Sequence, residues 1–175
     1  MGTFTELLGA QVRNEFAASQ QYAAVAVWFD SQDLPQLARY FYRQSLEERN
    51  HAMMMVQYML DRDLAITIPG IDAVRNDFTG PTEPIALALQ QEQQVTADIK
   101  ALFNAARTEG DPIGEQFMLW FLKEQVEEVA SMTTLLNIAQ RAGDNWFDLE
   151  NYVARESIGD GGHDSSAPPA AGGAL

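Results

Sequence analysis

Glu48-Arg49-Asn50-His51 places a carboxylate and an imidazole three residues apart, one above the other on a single helix face. Comparable polar groups recur at Glu15, at Glu92 and in the run Gln125-Val126-Glu127-Glu128. Each interrupts a long apolar pattern of helical period. A carboxylate buried in such a seam costs on the order of several kcal/mol unless something positive neutralises it. The seams supply one histidine and no lysine or arginine, so the chemistry points to a metal cation. The chain has no cysteine, which removes thiolate sites and leaves oxygen and imidazole ligands. Such a set suits iron(II), manganese(II) or zinc(II), and residue type alone does not choose among them. One glutamate bridging two metals would leave room for water or dioxygen.

The elements that must position these groups follow from periodicity and punctuation. One helix is predicted over about 4–30. A second follows from Pro35 to about Asp61, with Pro35 suited to its first turn. A long irregular stretch, 64–82, contains Pro69-Gly70 and Gly80-Pro81. Ile66, Ile68 and Ile71 alternate there and predict a short extended piece. A third helix begins near Glu83-Pro84, capped by Thr82, and ends at Glu109-Gly110, where glycine suits the left-handed position. Asp111-Pro112 opens a fourth that runs to about Ala142-Gly143. Asp144 caps a short fifth helix ending near Glu156. The chain is thus read as one domain over 1–156 and a disordered Gly/Ala/Pro/Ser-rich tail over 157–175, in which His163 is unligated. The predicted fold is all-α: a four-helix bundle, two helical hairpins joined by one long crossover, with a short fifth helix.

Steps of four and three residues trace the inward stripe of each helix. The stripes read Leu8, Val12, Glu15, Ser19, Tyr22, Ala26, Phe29; then Leu37, Phe41, Gln44, Glu48, His51, Met55, Tyr58; then Ile85, Leu89, Glu92, Thr96, Ile99, Phe103, Ala106; and last Met118, Phe121, Gln125, Glu128, Met132, Leu135, Ala139. All are apolar at both ends and polar near the centre. Antiparallel helices of equal length share their midpoints, so Glu15, Glu48, Glu92, Glu128 and His51 should converge at one level. Four anions that close repel strongly in a low dielectric. Either some hold protons at raised pKa, or divalent cations sit among them. A di-metal carboxylate bundle uses one glutamate from each of two helices and Glu-x-x-His from the other two. Here the first motif is complete, while the second reads Gln125-x-x-Glu128. The second metal would have oxygen ligands only, and the two affinities should be unequal.

Composition narrows the classes. The 175 residues suffice for one sizeable core. A net charge of −14 argues against nucleic acid, which demands a basic face, and suits attraction of cations. No secretory signal is visible at Met1-Gly2-Thr3-Phe4-Thr5-Glu6, and no run approaches membrane length, so no membrane partner is expected and the default location is the cytoplasm.

At these residues the sequence resembles the bacterial non-haem ferritins, of actinobacterial type. The resemblance runs over about 4–155. It is strongest in Asn14-Glu15-Phe16 through Gln20-Gln21-Tyr22, in Glu47-Glu48-Arg49-Asn50-His51-Ala52, and in Trp120 through Glu128. It implies a ferroxidase that oxidises iron(II) with dioxygen or hydrogen peroxide and stores iron(III) mineral inside a homo-24-mer shell. By that resemblance Glu15, Glu48 and His51 form a first iron site. Glu92 and Glu128 form the second, with Glu48 bridging the dinuclear pair. Gln125 stands beside the second iron, and Tyr22 hydrogen-bonds to the site and can supply an electron. Glu47, Glu124 and Glu127 match a third iron position on the cavity side. The haem-binding bacterioferritins carry a Met between the Glu and His of the first motif and Glu-x-x-His in the second. This chain has Arg49-Asn50 and Gln125-x-x-Glu128, so no haem is expected.

Blander readings stand beside these. Trp120 reads first as a core aromatic, and Met53-Met54-Met55 as packing and subunit contact. Asp111 and Glu115 would line an ion channel between subunits, or simply serve a helix N-terminus, which favours acids anyway. Two other functions compete: a structural or interaction protein on a ferritin scaffold without oxidase activity, and a diiron oxidase of an organic substrate. The tail would suit either an inert end or a tether to a larger encapsulating shell.

Overall fold

Thr3 opens the first helix by accepting from the Glu6 N–H (3.2 Å), while the Glu6 carboxylate accepts from the Thr3 N–H (2.8 Å). This reciprocal box satisfies donors that a helix start leaves exposed. In the computed structural model, which describes residues 2–156 and 165–175, the order is α1 (Phe4–Ser31), α2 (Pro35–Asp61), α3 (Thr82–Glu109), α4 (Pro112–Ala142) and α5 (Trp146–Arg155). Helix α1 packs along α2 and α3 along α4, and α1 also touches α3. These are the two hairpins of a four-helix bundle. No strand occurs among the described residues, and the alternating isoleucines lie in irregular chain, with Ile68 and Ile71 exposed.

The ends follow local chemistry. Asp111 caps α4 by accepting from the Gly114 N–H (3.1 Å). A Cβ on Gly114 would stand 2.7 Å from the Asp111 carboxylate, so the cap needs glycine there. Gly110 takes the left-handed conformation (φ 69°) that ends α3. Two cap expectations shift by one residue. Pro81 stands at the N-cap of α3, where Thr82 was expected, and Thr82 is already helical. Asn145 caps α5 in place of Asp144, accepting from the Asp148 N–H (3.3 Å).

The crossover, 62–81, is tied down mainly along α1. Buried Gln21 exchanges two hydrogen bonds with the Arg75 backbone (2.8 and 2.9 Å), and Arg13 grips Asp72 (2.7 Å). Helix α5 closes one end of the bundle against α2 and α4, and Glu150 accepts from the first backbone donors of α2, including the Leu37 N–H (3.2 Å).

The core is split. One apolar cluster gathers Phe29, Leu37, Phe41, Ile85, Leu135 and Leu149, and the other gathers Leu8, Val12, Met55, Met59, Leu102 and Met118. Between them lies a buried polar belt. On α3 the buried stripe is Ala88, Glu92, Val95, Ile99, Leu102 and Ala106, with Leu89, Thr96 and Phe103 only half-buried. The helix is turned slightly from the predicted face, because it must serve both α1 and α4.

Residues 165–175 make contacts that their composition does not announce. The Ala171 N–H donates to the Met53 carbonyl (3.0 Å), and Asn50 exchanges two hydrogen bonds with the Leu175 backbone (3.1 and 3.3 Å). Ala167, Ala170 and Ala171 pack against the second apolar cluster. The expectation of a disordered tail covers 157–175; 157–164, with His163, lie outside the described residues.

Candidate metal centre

Four helices carry the polar belt at mid-height. Glu15, Glu48, His51 and Glu92 are at most 3% exposed, so solvent does not reach their charges. Glu128, Glu124, Gln125 and Gln44 are also buried. Of the five groups expected to converge, ligand atoms of Glu15, Glu48 and His51 all lie within 4.8 Å of one another, and Glu92 and Glu128 are not among them. His51 Nδ1 stands 3.3 Å from Glu48 Oε2, as their three-residue spacing on α2 requires. The His51 ring is held edge-on by Trp120 and Phe121, each at 5.7 Å. Trp120 is therefore both a packing aromatic and a wall of the site.

Glu15 Oε2 and Glu48 Oε1 are buried without a hydrogen-bond partner. A native interior rarely tolerates such atoms, and two orphaned carboxylate oxygens beside one imidazole fit a divalent cation. The donor set is hard oxygen plus nitrogen, in line with the metals expected from the sequence.

Electrostatics tell the same story. Burial pushes the Glu48 carboxyl well above its ordinary range, and the neighbouring Glu92 and Glu15 charges push it further. Burial raises Glu92 to about 7. The Tyr22 and Gln125 hydrogen bonds oppose that rise, and the Glu15 charge adds to it. Glu128 also moves up, through burial first and then through Glu47 and Glu92. Burial and the Glu92 charge raise Tyr22 well above the usual phenol range. A cation would relieve every one of these penalties on the carboxylates.

The α3–α4 half is arranged differently. The Tyr22 hydroxyl donates to Glu92 Oε1 in a short bond, and Gln125 Nε2 donates to Glu92 Oε2 (3.3 Å). The Thr96 hydroxyl donates to Gln125 Oε1 (2.8 Å), which fixes the amide so that its nitrogen faces Glu92. Both predicted partners, Tyr22 and Gln125, thus touch Glu92 directly.

Glu47, His51 and Glu124 form a second triple whose ligand atoms lie within 4.8 Å. It shares His51 with the first. Glu127, predicted alongside Glu47 and Glu124, is exposed and stands outside that triple. Gln44 Nε2 donates to Glu47 (2.7 Å), and Lys123 lies 3.8 Å from Glu124. Asp111 pairs with Arg62 (2.6 Å) and Glu115 with Arg107 (3.0 Å), so the two acids at the start of α4 are neutralised within this chain.

Sequence reading assigned no role to Gln11 or Asn14. Gln11 Nε2 donates to Glu15 Oε1 (2.8 Å), and Asn14 Nδ2 donates to Gln11 Oε1 (3.1 Å). The available signal was a glutamine exactly one helical turn before a buried carboxylate. Tyr40 is also buried near the belt, with its hydroxyl 3.8 Å from Met132 Sδ.

Comparison with known proteins agrees with this architecture. Residues 5–142 match the model of the ferritin-like domain. The chain is 63% identical over 172 residues to Ferritin BfrB of Mycolicibacterium smegmatis, covering 98% of this chain and 94% of that one. It is 34% identical over 154 residues to the bacterial non-heme ferritin of Staphylococcus aureus, covering 88% and 92%. A solved structure described as a humanized archaeal ferritin superposes with TM-score 0.84 at 25% identity, covering 90% of this chain and 97% of that one. With a buried carboxylate–imidazole centre inside a two-hairpin bundle, and relatives matched over nearly its whole length, the chain belongs to the ferritin family.

Proposed function

We propose that this chain is a ferroxidase and iron-storage subunit. Iron(II) is its substrate, and iron(III) mineral its cargo. The observation that carries this reading is the buried Glu15–Glu48–His51 triple with two unpartnered carboxylate oxygens. These residues bind the first iron. Glu92 and Glu128 bind the second, with Glu48 shared, and binding there displaces the internal hydrogen bonds of Glu92. Each iron(II) gives up one electron, and dioxygen or hydrogen peroxide takes the pair. Tyr22 and Gln125 are the hydrogen-bond donors on the second side. In this reading Tyr22 also supplies an electron.

Glu47 and Glu124 make the third position, with Glu127 one turn along at its exposed side. Its proximity through His51 supports a role in passing oxidised iron onward. No haem enters this reading. Storage needs an enclosed volume that one 19.4-kDa chain lacks, so the working form is a homo-24-mer of roughly 0.47 MDa in the cytoplasm. The relatives described above, both ferritins, support storage over a scaffold without oxidase activity or an oxidase of organic substrates.

Stopped-flow mixing of aerobic apoprotein with iron(II) tests the chemistry. Wild type should develop iron(III) absorbance rapidly. Glu48→Ala with His51→Ala should slow it by more than the ~10- to 100-fold that loss of a supporting group costs at a metal site. Its elution volume should stay that of the shell. Equal rates in the double variant refute the assignment.

A further inference from the structure

We propose that Gln11 is the positioning residue of Glu15, and that its orientation is set from the surface by Asn14 and Asp98. This deepens the reading of Glu15, Glu48 and His51 as a metal site and rests on it. Gln11 is 1% exposed, yet its side chain ends in a polar amide and lies within α1 one turn before Glu15. Its Nε2 holds Glu15 Oε1 at 2.8 Å. That bond occupies one carboxylate oxygen and leaves the other, Oε2, unpartnered within the metal triple.

The two ends of a glutamine amide have nearly the same shape, so packing does not decide which one faces Glu15. Hydrogen bonding does. Asn14 Nδ2 donates to Gln11 Oε1 (3.1 Å) and to Asp98 Oδ2 (3.4 Å). A carboxylate only accepts, so Asp98 calls for the nitrogen end of Asn14. That nitrogen in turn calls for the oxygen end of Gln11 and leaves the Gln11 nitrogen for Glu15. Asp98 is itself fixed on α3 by Gln94 Nε2 (2.9 Å). The relay therefore joins α3 to α1 and gives Glu15 a defined donor. Reversing any link would turn the Gln11 carbonyl against the Glu15 carboxylate.

Anaerobic titration of the apoprotein with cobalt(II), followed by its visible d–d absorption, reads this directly, and thermal unfolding of each apo variant runs in parallel. Gln11→Leu removes the donor. The isosteric Asn14→Asp presents only acceptors, so Gln11 must turn its nitrogen toward the carboxylate at position 14 and away from Glu15. Both variants should bind the first cobalt equivalent ~10- to 100-fold more weakly with an altered band shape, while the later equivalents keep their affinity. Unchanged first-equivalent affinity and spectrum in both variants overturn the inference, whatever the melting temperatures do. If Gln11→Leu does not fold, Asn14→Asp decides by the same readout. A wild type that takes up no cobalt would instead overturn the metal-site reading on which this inference rests, so the two failures are told apart by the wild-type arm.

Discussion

The two halves of the belt present similar side chains in different states. On α1 and α2, Glu15, Glu48 and His51 already stand within 4.8 Å, with a free oxygen on each carboxylate. On α3 and α4, both oxygens of Glu92 are engaged, one by Tyr22 and one by Gln125. On the proposed reading the first half is preorganised for a cation, while the second would exchange internal hydrogen bonds for metal bonds. The sequence difference behind this is small: Glu48-x-x-His51 in one hairpin, Gln125-x-x-Glu128 in the other. An amide in place of a carboxylate supplies a donor where the other hairpin supplies a ligand. The lesson is that, on the proposed metal-site reading, unequal affinity would arise from how the belt is satisfied in the absence of metal, as well as from the ligand count.

The sharpest way to break this comparison is Glu92→Gln. It should abolish the weaker metal equivalent in a cobalt titration and leave the first bound, since the first triple keeps all of its ligands. Loss of both equivalents together would show that the halves act as one unit.

A smaller effect concerns pH. Carboxyls raised in the folded state bind protons that the unfolded chain has released. Stability of the apoprotein is therefore full below the ordinary carboxylate range and falls as pH rises through the folded values. For Glu92, which moves from 4.5 to about 7, the loss across that window is on the order of 3 kcal/mol. Glu48 and Glu128 shift in the same direction. Urea unfolding in the presence of a chelator should show the Glu92 part of this decline between about pH 4.5 and 7, and metal affinity should rise over the same interval as protons are displaced. A flat stability profile would contradict the buried, metal-free charges.

The least effect is expected from Tyr22→Phe, which removes one donor to Glu92. The Glu92 carboxyl should rise further, because a bond to its charged form is lost. Apo stability should drop by about 1 to 2 kcal/mol. The second cobalt equivalent should tighten at neutral pH, because the metal no longer has to displace that bond, while the first stays unchanged; a shift confined to the first would reverse the roles assigned to the two halves.

Much of this was legible in the chain. Pro35, Gly110 and Pro112 mark helix ends that the structure places within a residue, because proline and glycine act through local backbone geometry. The mid-height glutamates were legible because a helix of known rise converts sequence position into depth. The α3 stripe was less so: Ala88, Val95 and Leu102 are buried where Leu89, Thr96 and Phe103 were expected. A repeat of 3.5 and a helix of 3.6 residues drift apart over this length, so the face is set by the neighbours. Glu127 shares a helix turn with Glu124 but is exposed, a difference of rotation that spacing does not resolve.

Sequence alone determined which residue types meet at one level, since helix length and antiparallel pairing leave little freedom there. Only the tertiary structure decided which oxygen of each carboxylate is tied and which is free. That choice depends on donors from other helices and from neighbouring turns: Tyr22 reaching across to Glu92, Asp98 orienting Asn14, Thr96 fixing Gln125. Hydrogen bonds are directional and short, so their pattern exists only once the helices are docked.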